Sequence, residues 1–269
     1  MIFPVLGFTD SVTVTIDGYQ ADVGIHKADI EKDIIVISLH GKEKGRWHSG
    51  NVDFANELSS HGYTTYTPEM PWYGYRAPLS HSYTFLDALI KKVANGKKVV
   101  VAGHSQGAPY SLFYTTVHTP PTNVVASILL APGHLLHRSY KIQDATEDSV
   151  SLAKQLLAEG NGNQEVELAD FNKGGRRGKK LVSTTPNIYL SYFGLDSSPN
   201  FLKVIKQAKL PLLWIDGEDD RLAQRMDYKS IYETASVHPL NKHVTVAGGH
   251  VSMWENAATP IVDWLKNFE

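Results

Sequence analysis

Lys98-Val99-Val100-Val101-Ala102-Gly103-His104-Ser105-Gln106-Gly107 is a β-branched run that breaks into a pentapeptide with a glycine two positions either side of a serine. The run predicts a strand over 98–102, buried on both faces, and the apolar spacing that follows predicts a helix over about 106–117. A serine held between strand and helix occupies a sharp, strained turn. Glycines at its flanks let the two elements approach without Cβ clashes. The first turn of such a helix also directs backbone N–H groups and a positive dipole end at the serine.

Outward from this stretch, short apolar runs alternate with segments of helical period, the pattern of a parallel sheet joined by crossover helices. Towards the N-terminus, strands are expected over 33–39 and 63–67, with helices over 51–60 and 83–94. Ahead of them, residues 11–16 and 21–26 alternate apolar and polar around Asp17-Gly18, which predicts an antiparallel hairpin at the sheet edge. Towards the C-terminus, strands are expected over 124–130, 211–216 and 243–247, and helices over 225–236 and 257–268.

Between 134 and 208 the periodicity weakens. A helical piece over 149–159, a Gly/Asn break over 160–163 and the basic run Lys173-Gly174-Gly175-Arg176-Arg177-Gly178-Lys179-Lys180 mark this segment as an inserted cap. The chain thus reads as an α/β core over 1–133 and 209–269, with a cap insertion over 134–208. The expected core is a mostly parallel twisted sheet of about eight strands with helices on both faces.

The 269 residues carry a formal net charge of −2, which offers no global attraction to nucleic acid or anionic membranes. The absence of cysteine excludes disulfides, thiolate metal sites and cysteine nucleophiles, and suits either redox compartment. No apolar run reaches the roughly 18 residues of a membrane span, and the first residues lack a basic segment followed by a long apolar one. A soluble chain is expected, cytoplasmic unless a leader has been removed. Oligomeric state is open.

Serine is a poor nucleophile at neutral pH. Acyl transfer on it needs a base, a group that orients the base, and donors for a developing oxyanion. Of the twelve histidines, His250 alone follows the last expected strand in a Gly-rich loop, Gly248-Gly249-His250, with room to swing toward Ser105. Asp216, Glu218, Asp219 and Asp220 lie together after the 211–216 strand, and one of them can orient that histidine.

Leu39-His40-Gly41, Gly103-His104-Ser105-Gln106-Gly107, Gly217-Glu218-Asp219-Asp220 and Gly248-Gly249-His250 occur in an order that resembles the α/β-hydrolase superfamily, in which Ser, acid and His follow one another along the chain. The resemblance runs from the 33–39 strand to the closing helix. It implies a Ser105–His250–Asp220 triad, with Asp219 as the second choice of acid, and Asp216 capping or bracing the loop. It also implies an oxyanion hole from the backbone N–H groups of Gln106 and Lys42, with the Lys42 side chain free to face solvent. His40 and His104 are expected to brace their loops.

The implied activity is hydrolysis of a carboxylic ester through an acyl-enzyme, with a small-molecule acyl substrate and neither metal nor organic cofactor. A thioesterase, an amidase or peptidase, or a C–C bond hydrolase would carry the same triad, and a silent binding protein would share the fold. Serine at 105 argues against haloalkane dehalogenase and epoxide hydrolase chemistry, which needs a carboxylate there. Trp72 and Tyr73, in the loop 71–76, and Tyr189, Tyr192 and Phe193, in the insertion, are the expected substrate-binding aromatics. The basic run is either a solvated loop or an attractant for an anionic group.

Overall fold

In a computed structural model, which describes residues 10–43, 45–133, 139–171 and 178–269, the chain opens on β1 (Asp10–Ile16) and β2 (Tyr19–His26). They pair antiparallel, Ile16 opposite Tyr19, around Asp17 (φ 41°) and Gly18 (φ 79°). Two left-handed residues in a two-residue turn match the twist of the flanking strands, which is why Asp-Gly stands there.

There follow β3 (Ile34–Leu39), α1 (Ser49–Ser60), β4 (Thr65–Pro68), α2 (His81–Val93), β5 (Lys98–His104), α3 (Gly107–Thr116) and β6 (Val124–Leu130). The segment read above as an insertion comprises α4 (Tyr140–Ala158), β7 (Val166–Phe171), β8 (Lys179–Thr184), α5 (Pro186–Phe193) and α6 (Phe201–Val204), and after it the chain returns to the main sheet. It ends with β9 (Leu212–Gly217), α7 (Arg221–Met226), α8 (Tyr228–Tyr232), β10 (Lys242–Val246) and α9 (Trp254–Leu265).

The main sheet has eight strands in the order β1-β2-β4-β3-β5-β6-β9-β10. The β1–β2 and β2–β4 pairs are antiparallel and the others parallel. Successive side chains of a strand point to opposite faces, so a run apolar at every position serves two cores at once. Ile35, Ile37, Leu39, Val99 and Val101 pack into one cluster with Phe85 and Leu89 of α2 and Phe113 of α3. Ile34, Val36, Val100 and Ala102 pack into the other with Phe54 of α1 and Ile261 of α9. The functional loops follow from this: those after β3, β5, β6, β9 and β10 all leave from the C-terminal edge of the parallel strands.

The chain departs from the sequence expectation in particular places. The 225–236 helix is two short ones, broken at Asp227 (φ 50°), whose carboxylate caps α8 by accepting from Ser230. The 149–159 piece belongs to a helix that begins at Tyr140. The insertion also contains an antiparallel β7–β8 hairpin that its polar sequence did not announce. Of the basic run, 173–177 lie outside the described residues, while Lys179 and Lys180 open β8. No described helix is long and apolar enough to cross a membrane.

Candidate active site

Ser105 adopts φ 52°, a left-handed conformation that costs a non-glycine residue about 1–3 kcal/mol and marks a site whose surroundings over-determine it. Its N–H donates to Leu130 O (3.0 Å), and its carbonyl accepts from Ala108 N (3.2 Å) and Gly133 N (2.7 Å). Both flanking glycines are sterically required: a Cβ on Gly103 would stand 2.1 Å from Gly107 O, and one on Gly107 2.6 Å from Leu39 O. The bare α-carbon of Gly133 keeps the space before the serine open, since a Cβ there would lie 3.0 Å from both Ser105 Oγ and Gln106 N.

Ser105 Oγ lies 2.9 Å from His250 Nε2, and His250 Nδ1 lies 2.8 Å from Asp220 Oδ2. Asp220 is 1% exposed and caps α7, its other oxygen accepting from Leu222 N at 2.8 Å. Burial alone would raise this carboxyl. The hydrogen bond and charge of His250, with the N–H groups of Leu222 and Ala223, outweigh burial and hold it below the ordinary carboxylate value.

The competing acids are placed elsewhere. Asp219 and Glu218 are exposed, and Asp216 pairs with His243 Nε2 at 2.7 Å.

His40 and His104 act as braces. His40 is fully enclosed: Nδ1–H donates to Gly41 O (2.6 Å) and Nε2 accepts from Met70 N–H (3.0 Å), which fixes one neutral tautomer. Burial lowers its pKa to about 4. His104 Nε2–H donates to the His250 main-chain oxygen at 2.7 Å, with its ring against Trp254. Burial, with the nearby His250, lowers its pKa to about 3.

A cleft of about 500 Å³ opens over Ser105 and His250. Ile142 and Phe171 of the insertion face it from one side, and Leu222, Val251 and Trp254 from the core.

A family model for alpha/beta hydrolases matches residues 36–264. The chain belongs to the alpha/beta hydrolase family. No curated protein matches it. Among solved structures it is similar to Est1E from Butyrivibrio proteoclasticus, with 18% identity over 96% of this chain and 98% of that one and a TM-score of 0.67. It is similar also to a soluble variant of monoglyceride lipase from Saccharomyces cerevisiae (14% identity, 98% and 97% covered, TM-score 0.69). A third likeness is to the thioesterase domain from the curacin biosynthetic pathway (16% identity, 96% and 99% covered, TM-score 0.63). At such identities the likeness is one of fold.

The aromatics expected to bind substrate do not line the cleft of this alpha/beta hydrolase. Tyr189, Tyr192 and Phe193 are buried in the joint between insertion and core. Tyr192 Oη–H donates to Ala77 O (2.9 Å), Tyr189 Oη–H to Ala169 O (2.5 Å), and Phe193 stacks on Tyr189 with centroids 4.4 Å apart. Trp72 packs on Tyr110 (4.9 Å) and His40 (5.5 Å), and half-buried Tyr73 on His40 (6.0 Å). Large apolar rings released from water contribute about 1.5–3 kcal/mol each, and here that energy fastens the insertion to the loop 71–79. Residues the sequence reading missed take the lining positions; of these, only Trp254, four residues after His250, carried a signal.

The Lys42 side chain also departs from expectation. Instead of facing solvent it runs beneath the insertion, where Nζ meets Asp170 Oδ1 at 2.6 Å and Phe171 O at 2.6 Å. Asp170 is fully buried, and its Oδ2 accepts from Tyr75 Oη–H at 3.0 Å. Burial lowers the Lys42 pKa, against the opposing pull of Asp170.

Proposed function

We propose that this alpha/beta hydrolase cleaves carboxylic esters of small molecules through an acyl-enzyme on Ser105. The observation that carries the proposal is the unbroken relay from Ser105 Oγ through His250 to Asp220, at 2.9 and 2.8 Å, opening into a cleft. As the serine attacks the carbonyl carbon, His250 Nε2 takes its proton, and Asp220 holds the imidazole in the accepting tautomer and steadies the imidazolium. The tetrahedral oxyanion is received by the backbone N–H groups of Gln106 and Lys42, both at the cleft. A Cβ on Gly41 would stand 3.2 Å from Ser105 Cβ, which puts the Lys42-bearing loop hard against the serine.

The proton then passes from His250 to the leaving alkoxide, and water activated by the same histidine deacylates the enzyme. Residues 134–208 act as the cap, contributing Ile142 and Phe171 to the acyl or alcohol side.

Ser105→Ala should lower hydrolysis of short p-nitrophenyl esters by more than about 10⁴-fold and abolish labelling by a fluorophosphonate probe, with the fold unchanged by circular dichroism. Retained turnover would sink the assignment. Matched thioester and amide substrates in the same assay decide the acyl class.

A further inference from the structure

Lys42 stands where two demands meet. Its backbone N–H is the proposed second oxyanion donor, while its side chain is sequestered under the insertion. The ammonium bridges the Asp170 carboxylate and the Phe171 carbonyl, each at 2.6 Å, both on β7. Asp170 is held in turn by Tyr75 from the loop 71–76, and Phe171 itself borders the cleft. One buried ion pair therefore ties the loop after β3 to the insertion and to the 71–76 loop.

Lys180 also approaches Asp170, but at 3.8 Å and from β8, so it balances charge without touching the loop after β3. A strap of this kind has a geometric effect. A shift of about 1 Å in an oxyanion donor is enough to cost on the order of 100-fold in rate.

We propose that Asp170 is a positioning residue, which through the buried Lys42 ammonium sets the height of the Lys42 N–H over Ser105 and so couples seating of the insertion to stabilisation of the oxyanion. The proposal rests on the oxyanion assignment above. It predicts that cutting the strap lowers kcat while leaving KM nearly alone, because the developing oxyanion rather than the bound ester uses the donor.

Three strap variants of the whole chain, with Lys180→Met as the control, test it: Asp170→Asn, Lys42→Met, and both together. Either single change should lower kcat about 10- to 100-fold with KM within about threefold, and should weaken an alkylboronic acid, whose tetrahedral adduct places oxygen at the oxyanion position, by a similar factor. Each single change also lowers Tm: Asp170→Asn leaves the Lys42 ammonium without its carboxylate, and Lys42→Met leaves the buried Asp170 carboxylate with only Lys180 at 3.8 Å. The double variant removes both charges, so its Tm should recover toward wild type.

The decisive readout is whether kcat recovers with it. A pair that merely holds the fold together would restore rate along with Tm, and that outcome overturns the proposal. Persistent loss of kcat and of boronate affinity in a re-stabilised protein supports it. Lys180→Met should leave kcat within twofold; an equal loss there would assign the effect to charge balance at Asp170 and also refute the strap. Failure of the hydrolase assignment shows separately, as Ser105→Ala retaining turnover.

Discussion

Replacing His104 by Phe separates a brace from a proton carrier, and its consequences reverse sign with pH. At pH 7 the variant keeps a flat ring against Trp254 but loses the hydrogen bond from Nε2 to the His250 carbonyl, worth about 1 kcal/mol net. In acid, wild type bears a larger burden. His104 is buried neutral, with its pKa lowered to about 3, whereas the unfolded chain binds a proton there near pH 6.5. A lowered histidine pKa means the unfolded state holds the extra proton below pH 6.5, so stability falls with falling pH until the folded value is reached.

One proton corresponds to about 1.4 kcal/mol per pH unit, or about 2 kcal/mol between pH 5.5 and 4. Phenylalanine abolishes that contribution. His40 and His26, also lowered by burial, and Asp220, held low by His250, titrate alike in both proteins and cancel in the difference.

Urea unfolding at half-unit steps from pH 7.5 to 4 should therefore show wild type ahead by about 1 kcal/mol at neutrality and the variant ahead below about pH 5.7. The two curves should differ in slope by one proton. With the Ser105–His250 and His250–Asp220 bonds intact, kcat at pH 7.5 should fall less than about tenfold. Parallel stability curves, or a kcat loss beyond about 10³-fold, would refute the assignment of His104 as a neutral brace.

Asp220→Asn keeps an acceptor for Leu222 N–H but presents an amide donor to His250 Nδ1, favouring the tautomer that cannot receive the serine proton. Steady-state hydrolysis of p-nitrophenyl acetate should show kcat down by about 10³- to 10⁴-fold with KM little changed, against a modest loss for Asp219→Asn on the exposed turn. Tyr192→Phe removes a buried hydrogen bond to Ala77 O and should cost about 1 kcal/mol in urea unfolding while leaving kcat/KM within twofold, since Tyr192 faces the joint rather than the cleft.

The parts of the fold legible in the sequence are those fixed by local period. Ile34-Ile35-Val36-Ile37 and Val99-Val100-Val101-Ala102 are apolar at every position because both faces are covered, and the two cores divide them alternately. The Gly103 clash is likewise local, arising against Gly107 within five residues of chain, whereas the one at Gly107 is with Leu39, at the end of β3. The aromatics of the insertion carried no comparable information. A tyrosine lining a cleft and one sealing a joint have the same composition and spacing, and what distinguishes Tyr192 is that Ala77, 115 residues away, offers it a carbonyl. The Lys42–Asp170 pair spans 128 positions, and β7 and β8 lack the regular alternation that would have announced the strand carrying Asp170.

The same limit governs the histidines, and it shows how one site assigns different chemistry to one residue type. His40, His104, His243 and His250 all sit near strand ends, yet enclosure separates them. His40 has both ring nitrogens engaged by the backbone, His104 gives its Nε2 proton to a carbonyl, and His243 is paired with Asp216. His250 alone has one nitrogen on a carboxylate and the other on a hydroxyl, with its side chain 29% exposed, so it can lose and regain a proton within the cleft. Low dielectric locks His40 and His104 neutral: a protonated His104, its ring centroid 5.2 Å from that of His250, would repel the imidazolium that the proposed mechanism forms on His250. On the proposed mechanism, the burial that makes His104 unfit for proton transfer thus leaves the charge that develops on His250 unopposed.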